Sequence, residues 1–434
     1  MKCLKTTSLF SIIISVLVII LTACGGGSIS NRFSISGTVS GVAVSGVTVS
    51  LSGGSSSSTV TDDSGNYTFP GLGNGTYTVI PSLTGVTFSP ASLAVTLNDS
   101  NVTSQNFTAT KKDTGLVCGQ TITEDTILDR DLICPPGTNF ALIIGAPNIT
   151  LDLGGHVISG YAPDKGVFAQ GIEGITIRNG TIEGFEDGIF IIETGHVTIE
   201  NLTVKNQNII DPNHFITGVH IDSSQNIVVK DTLFEFPSVA HKEAVEVYNS
   251  DVLVSNIEVR GAGAGVCFSF NQVCDPVHTP SNGVVLNSKF SEICVAAIWV
   301  ACTSNVRIAG NDISTTGTGG GIQADAPFLG AVTGLTVEEN YIHDLAIGIE
   351  FRGITKSTIS NNIISGNSIW GIALRQSLGC LTGEPGWECC YSTDNEVIDN
   401  QTSGNYLDLY HDEGSVGNIW ERNTYETKEG SDIT

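Results

Sequence analysis

The residues able to do chemistry recur at the same place in a repeated phrase. His220 stands two residues before Asp222, Glu246 two before Tyr248, Gln323 two before Asp325, and Glu350 two before Arg352. Arg375 closes a further copy and Trp299 sits inside another. In an extended strand, residues two apart share a face. Carboxylates, His and Tyr on one face are the groups that move protons. Arg clamps a carboxylate, and Trp or Tyr lays a flat apolar ring against a ligand. Arg352 and Arg375 are thus candidates to neutralise an anion, His220 or Tyr248 to act as base, and Asp325 with Glu350 to act as a carboxylate pair. Asp222 and Glu246 are weak candidates for Ca²⁺, which needs clustered oxygens. A plainer reading of Glu350 beside Arg352 and Arg375 is a surface ion pair worth under about 1 kcal/mol.

The phrase itself says what positions them. Each copy has a small residue, an apolar-x-apolar triplet, a polar turn, a second triplet, then Asn or Asp, as in DGIFIIETGHVTIEN from Asp187 to Asn201. The second triplet begins at Ile149, Ile175, Val197, Ile227 and onward to Asn418, with 22 residues between Ile175 and Val197. A fixed period of this size marks a solenoid, and period-two alternation marks strands. No single coil can bury its apolar triplets, but stacked coils can. Recurring Asn (179, 201, 256, 311, 340, 362, 400 and 423) suits a left-handed turn and an amide bond from coil to coil. One residue precedes Asn179 and Asn201 after the last apolar position, and two precede Asn340 and Asn362, so the turn widens along the chain.

Aligning first triplets predicts an outward column of Phe190, His220, Glu246, Cys267, Trp299, Gln323, Glu350, Ala373 and Asp408. Two residues on, the next column reads Ile192, Asp222, Tyr248, Ser269, Ala301, Asp325, Arg352, Arg375 and Tyr410. Outward residues such as Phe190 and Glu246 should tolerate substitution, whereas a charge at Ile191 or Val247 should not. The other outward positions are mostly Thr, Ser and Glu. Insertions such as NQVCDPVHTPS and QSLGCLTGEPGWECCYSTD flank the decorated strand and would wall a groove. Between those two insertions lie Trp299, Gln323, Asp325, Glu350, Arg352 and Arg375, where the groove is expected to be deepest.

The 434 residues include 50 Gly, only 15% charged residues and a formal charge of −25. That composition points to an all-β chain and against nucleic acid, whose phosphates demand Lys and Arg. It is compatible with Ca²⁺ or sugars.

Lys2 and Lys5 precede an apolar run from Leu9 to Leu21 that is short for a membrane span. It ends in Leu21-Thr22-Ala23-Cys24, which resembles a bacterial lipobox. The resemblance implies that residues 1–23 are removed, that Cys24 is lipidated at the head of a tether over 24–31, and that Gly25 directs the protein to the outer membrane. Of eleven Cys, nine follow from Cys118. Cys118 and Cys134 bracket one segment and are expected to pair in an oxidising compartment. The pairing of Cys267, Cys274, Cys294, Cys302, Cys380, Cys389 and Cys390 is open, and an odd count leaves one over.

Residues 32–110 read as short alternating strands around a turn at Asp63-Ser64-Gly65-Asn66. SGTVSG, GVTVSL, TDDSGNYTFPGLGNGTYTV and NFTAT resemble the carboxypeptidase-regulatory-like domain, a small Ig/transthyretin-like β-sandwich that serves as a spacer or binding module. A linker covers 111–117. From 118 to 434 the repeat resembles right-handed, single-stranded parallel β-helix proteins of about 10–12 coils: pectate lyases, polygalacturonases, mannuronan epimerases and periplasmic accessory proteins. That resemblance implies a fold more than a reaction. The Asp-Pro-His motif of epimerases is interrupted here as Asp211-Pro212-Asn213-His214, and no polygalacturonase signature stands on the decorated strand. Three functions stay open: a lipoprotein binding polysaccharide or glycan, a lyase, C5-epimerase or hydrolase on an acidic polysaccharide, and a structural or adhesive rod. The expected protein is a monomer, with a membrane contact through its lipid only.

Overall fold

The computed structural model describes residues 32–112, 115–162, 164–205, 216–236, 242–268, 282–301, 303–314, 319–326, 332–377, 391–430 and 433. The lipobox with Cys24, the Asp211–His214 segment, Ser269, Cys302, and the Cys-bearing insertions over 271–281 and 378–390, with Cys274, Cys380, Cys389 and Cys390, lie outside them. The described residues form strands and turns with no helix. The chain divides into two compact units after Lys112.

The first unit packs two four-stranded sheets. Its strands alternate buried and exposed residues, as in Thr48–Gly53 and Asn66–Leu72. The inward set, among them Ile35, Val49, Leu51, Phe69, Val79 and Phe107, forms one core. Asp62 shapes the expected turn by accepting the backbone N–H groups of Ser64 and Asn66 at 2.9 and 2.8 Å. That is the usual Asx role and uses an oxygen a cation would need.

The second unit is a parallel β-helix. One sheet stacks thirteen strands and a second, folded around the remaining sides, stacks twenty-one. Every rung lies about 4.8 Å from the next. Along the thirteen-stranded sheet the inward column Ile189, Val219, Val245, Val266, Ile298, Ile322, Ile349, Ile372 and Leu409 has no exposure at all. The small residue before each triplet has a steric reason. A Cβ on Gly188 would sit 2.7 Å from the Gly218 carbonyl oxygen of the next coil, and one on Gly348 would sit 2.5 Å from that of Gly371. A disulfide joins Cys118 to Cys134, with Cα atoms 5.6 Å apart, at the first coils.

The turns change along the stack. Asn179, Asn201 and Asn256 hold left-handed backbone, with φ of 63°, 51° and 53°. In later coils that conformation moves one residue earlier, to Gly310, Glu339, Asn361, Asp399 and Arg422. The Asn that follows points inward. Asn311, Asn340, Asn362 and Asn400 each donate both backbone N–H and side-chain amide to the Asn Oδ1 one coil on, at 2.9–3.0 Å, ending at Asn423. Ladders from Asn367 to Asn405 and from Ser357 through Asn395 to Asn418 run beside it.

Candidate functional site

Strand pairing places the predicted columns. Phe190, His220, Glu246, Cys267, Trp299, Gln323, Glu350 and Ala373 are successive partners across the thirteen-stranded sheet. The last coil corrects the alignment. Ala373 pairs with Tyr410, not Asp408, and Leu374 pairs with His411. The triplet there is Leu409-Tyr410-His411, with a histidine at an inward position and only 5% exposed. An apolar-only pattern slips two residues at that point. Asp408 is instead a buried acceptor for the backbone N–H groups of Glu426 and Thr427.

Two polar clusters stand on this face. The upper one centres on Glu350. Its carboxylate accepts from Arg352 at 2.6 Å, Arg375 at 2.9 Å and Gln323 at 3.0 Å, and it has no exposure. The surface-pair expectation for Glu350 is therefore wrong. Arg and Gln side chains from neighbouring rungs close over it. Asp325 sits 4.0 Å from Arg352 and accepts from Ser377 at 2.7 Å. Burial holds the Asp325 carboxyl above its ordinary value, against the pull of Ser377 and Arg352. Arg375 also lies 4.6 Å from the Trp370 ring, which stacks on Tyr410 at 5.5 Å. Trp299 pairs with Cys267 and Gln323, at the lower edge of this cluster.

The lower cluster centres on Glu246, 9% exposed. One oxygen accepts from Tyr248 Oη; the other meets His220 Nδ1 at 3.2 Å and Thr217 Oγ1 at 3.3 Å. The outward-pointing Glu246 is thus shielded and engaged, contrary to the tolerance expected of it. Burial pushes Glu246 up, but the donors from His220 and Tyr248 outweigh it and hold it below its ordinary value. Glu243 reaches the same carboxylate and the Cys267 thiol, and burial with the neighbouring Glu246 charge pushes it up to about 8. Its Oε2 is buried with no hydrogen-bond partner. Asp222 pairs with Tyr248 rather than Glu246 and bonds Ser223 at 2.9 Å. Among the described residues no group of three or more His, Cys, Asp or Glu is placed to hold a metal ion.

Below Glu246 runs a stripe of rings, of which the alignment held Phe190, His220 and Tyr248 and missed Phe140 and Phe168. Phe140, Phe168, Phe190, His220 and Tyr248 follow one another with ring centroids 4.4, 5.7, 4.7 and 5.3 Å apart. All five are partly exposed. The signal was present in FALII and KGVFAQ, whose middle Ile143 and Phe168 share the outward position; Phe140 stacks in from the start of its strand. Beside the stripe, Lys165 bridges Glu186 at 2.6 Å and Asp187 at 2.8 Å and lies 5.7 Å from the Phe190 ring centroid. A cavity of about 400 Å³ opens here, lined by Thr138, Asn139, Phe140, Asp164 and Lys165 among others.

Comparison with known proteins agrees with the two units. Residues 34–110 match the carboxypeptidase regulatory-like domain. Residues 277–426 match the right-handed β-helix region, and 150–326 match the periplasmic copper-binding protein NosD. Among curated proteins none matches the chain. Among solved structures, the mannuronan C-5 epimerase AlgE6 A-module of Azotobacter vinelandii superposes with a TM-score of 0.51 at 14% identity, covering 71% of this chain and 91% of its own. The periplasmic alginate epimerase AlgG superposes with a TM-score of 0.51 at 10% identity, covering 71% and 78%. At these identities the likeness is one of fold. The chain joins a carboxypeptidase regulatory-like sandwich to a right-handed parallel β-helix.

Proposed function

We propose that the protein binds a polysaccharide lengthwise along the thirteen-stranded face, outside the cytoplasm. The observation that carries this reading is the ring stripe from Phe140 to Tyr248, one ring per coil and partly open to solvent. A core has no use for rings pointing outward. The C–H faces of sugars pack well on such a surface. The β-helix relatives named for work on alginate and the periplasmic family match support the reading. A catalytic role on an acidic polysaccharide is less well supported. It needs a cation free to neutralise the uronate, and Arg352 and Arg375 are both spent on Glu350. The lipobox supports anchoring to the outer membrane through Cys24.

Glycan-array screening of the chain from Arg32 onward, with and without Ca²⁺, tests the reading. Binding should appear and fall at least tenfold in Phe168→Ala and Phe190→Ala. Binding unchanged in both variants would remove the stripe from the site. Cys24→Ser should leave the membrane fraction; a variant that stays there is anchored otherwise.

A further inference from the structure

Among the described residues, Lys165 and the two Arg of the thirteen-stranded face are already matched by protein carboxylates. Lys165 is held between Glu186 and Asp187, and Arg352 and Arg375 share Glu350, with Asp325 beside Arg352. Lys242 is buried at 1% exposure, and Lys428 donates to the Ile433 carbonyl at 2.6 Å. What the face leaves open is hydrogen-bond acceptors. Among the described residues the Asp222 carboxylate accepts only from Ser223, at 2.9 Å. The surrounding chain carries a formal charge of −25. An incoming polyanion would meet like charge with no free counter-ion, which raises its cost and slows its approach.

We infer that the glycan recognised along the ring stripe carries no negative charge and supplies hydrogen-bond donors, hydroxyl or ammonium, to the acceptors beside the rings. The inference rests on the binding reading above and selects the class of sugar within it. Lys165 shows that the site's own chemistry favours a donor: an ammonium there sits against two carboxylates and a ring face. Burial works against that charge, yet Asp187 and Glu186 hold the ammonium above its ordinary value. Hydroxyl donors and ammonium donors are two sources of the same contact.

The test is calorimetric titration of the full chain at low ionic strength with cello-, chitosan and polygalacturonate oligosaccharides of equal length. The expected result is binding of cello- or chitosan oligosaccharides and at least tenfold weaker binding of polygalacturonate. Chitosan binding above cello-oligosaccharide binding assigns the contact to ammonium, and equal binding assigns it to hydroxyls. Glu186→Gln, which removes one negative charge beside the rings and leaves Lys165 balanced by Asp187 alone, should narrow the gap against polygalacturonate. Polygalacturonate binding the wild type as tightly as the others, weakening with salt, overturns the inference and leaves the binding reading standing. Binding of none of the three overturns both.

Discussion

The upper and lower clusters occupy the same columns of the same sheet, yet one is closed and the other is not. In the upper cluster the cations arise on the carboxylate's own rung and the next: Arg352 beside Glu350, and Arg375 one coil on. Charge is compensated within about 5 Å along the stack, and water is shut out. In the lower cluster Lys242 begins the same strand as Glu246 but is buried, and Lys165, several coils away, is held by Glu186 and Asp187. Glu246 relies on His220, Tyr248 and Thr217, and burial beside its charge pushes the neighbouring Glu243 up to about 8. A column of polar residues is therefore not a site in itself. What matters is whether counter-charge falls on the adjacent rung.

The sharpest way to break this contrast is Glu350→Ala. Two guanidinium groups, 13% and 28% exposed, would lose their shared carboxylate. Removing one partner from a buried pair costs about 3–5 kcal/mol, and denaturant melts should show it. A loss below about 1 kcal/mol would mean that the upper cluster is only a surface pair. In the lower cluster, Glu246→Ala should cost about 1–3 kcal/mol, because His220, Tyr248 and Thr217 lose their acceptor. The same melts decide whether the lower cluster is the weaker one. Asn362→Ala removes one amide ladder step near the upper cluster, and a similar loss of about 1–3 kcal/mol is expected, since the Asn340 backbone N–H and amide lose their acceptor and the Val337 carbonyl loses a donor.

The smallest effect at neutral pH should come from Glu243→Gln. The raised carboxyl binds its proton more tightly folded than unfolded, so stability falls as pH rises from its ordinary 4.5 to about 8 and is level above that. The glutamine variant should flatten that part of a melting-temperature profile taken from pH 4 to 9. A wild-type profile already flat over this window would show that Glu243 ionises normally.

Most of the fold was legible in the sequence because strand alternation and the 22-residue step both follow from stacking. The inward column from Ile189 to Leu409 is apolar at every rung, so the register reads directly. It slipped only where His411 replaced an aliphatic residue. The site was less legible. Alternation says that Glu246 and Glu350 leave the core, but not that their neighbours' side chains bury them again. The recurring Asn also hid two roles. Asn201 is kept for its left-handed turn, Asn362 for its inward amide, and sequence spacing alone shows a shift without its meaning.

The amide ladders have a consequence for how the solenoid comes apart. Each coil touches only its neighbours, so breathing propagates from one end. From Asn311 upward, opening one coil breaks side-chain bonds to the next as well as the strand ladder. Below it the ties are lighter: Asn201 donates to Asn179 at 2.7 Å, Asn179 to Asp152 at 2.9 Å, and the backbone N–H groups of Thr194 and Ser224 each donate to one serine hydroxyl a coil on. Amide exchange should be slowest past Asn311, and the first fraying should reach the coils that carry the ring stripe. The half proposed to meet a glycan is the half with more freedom to yield.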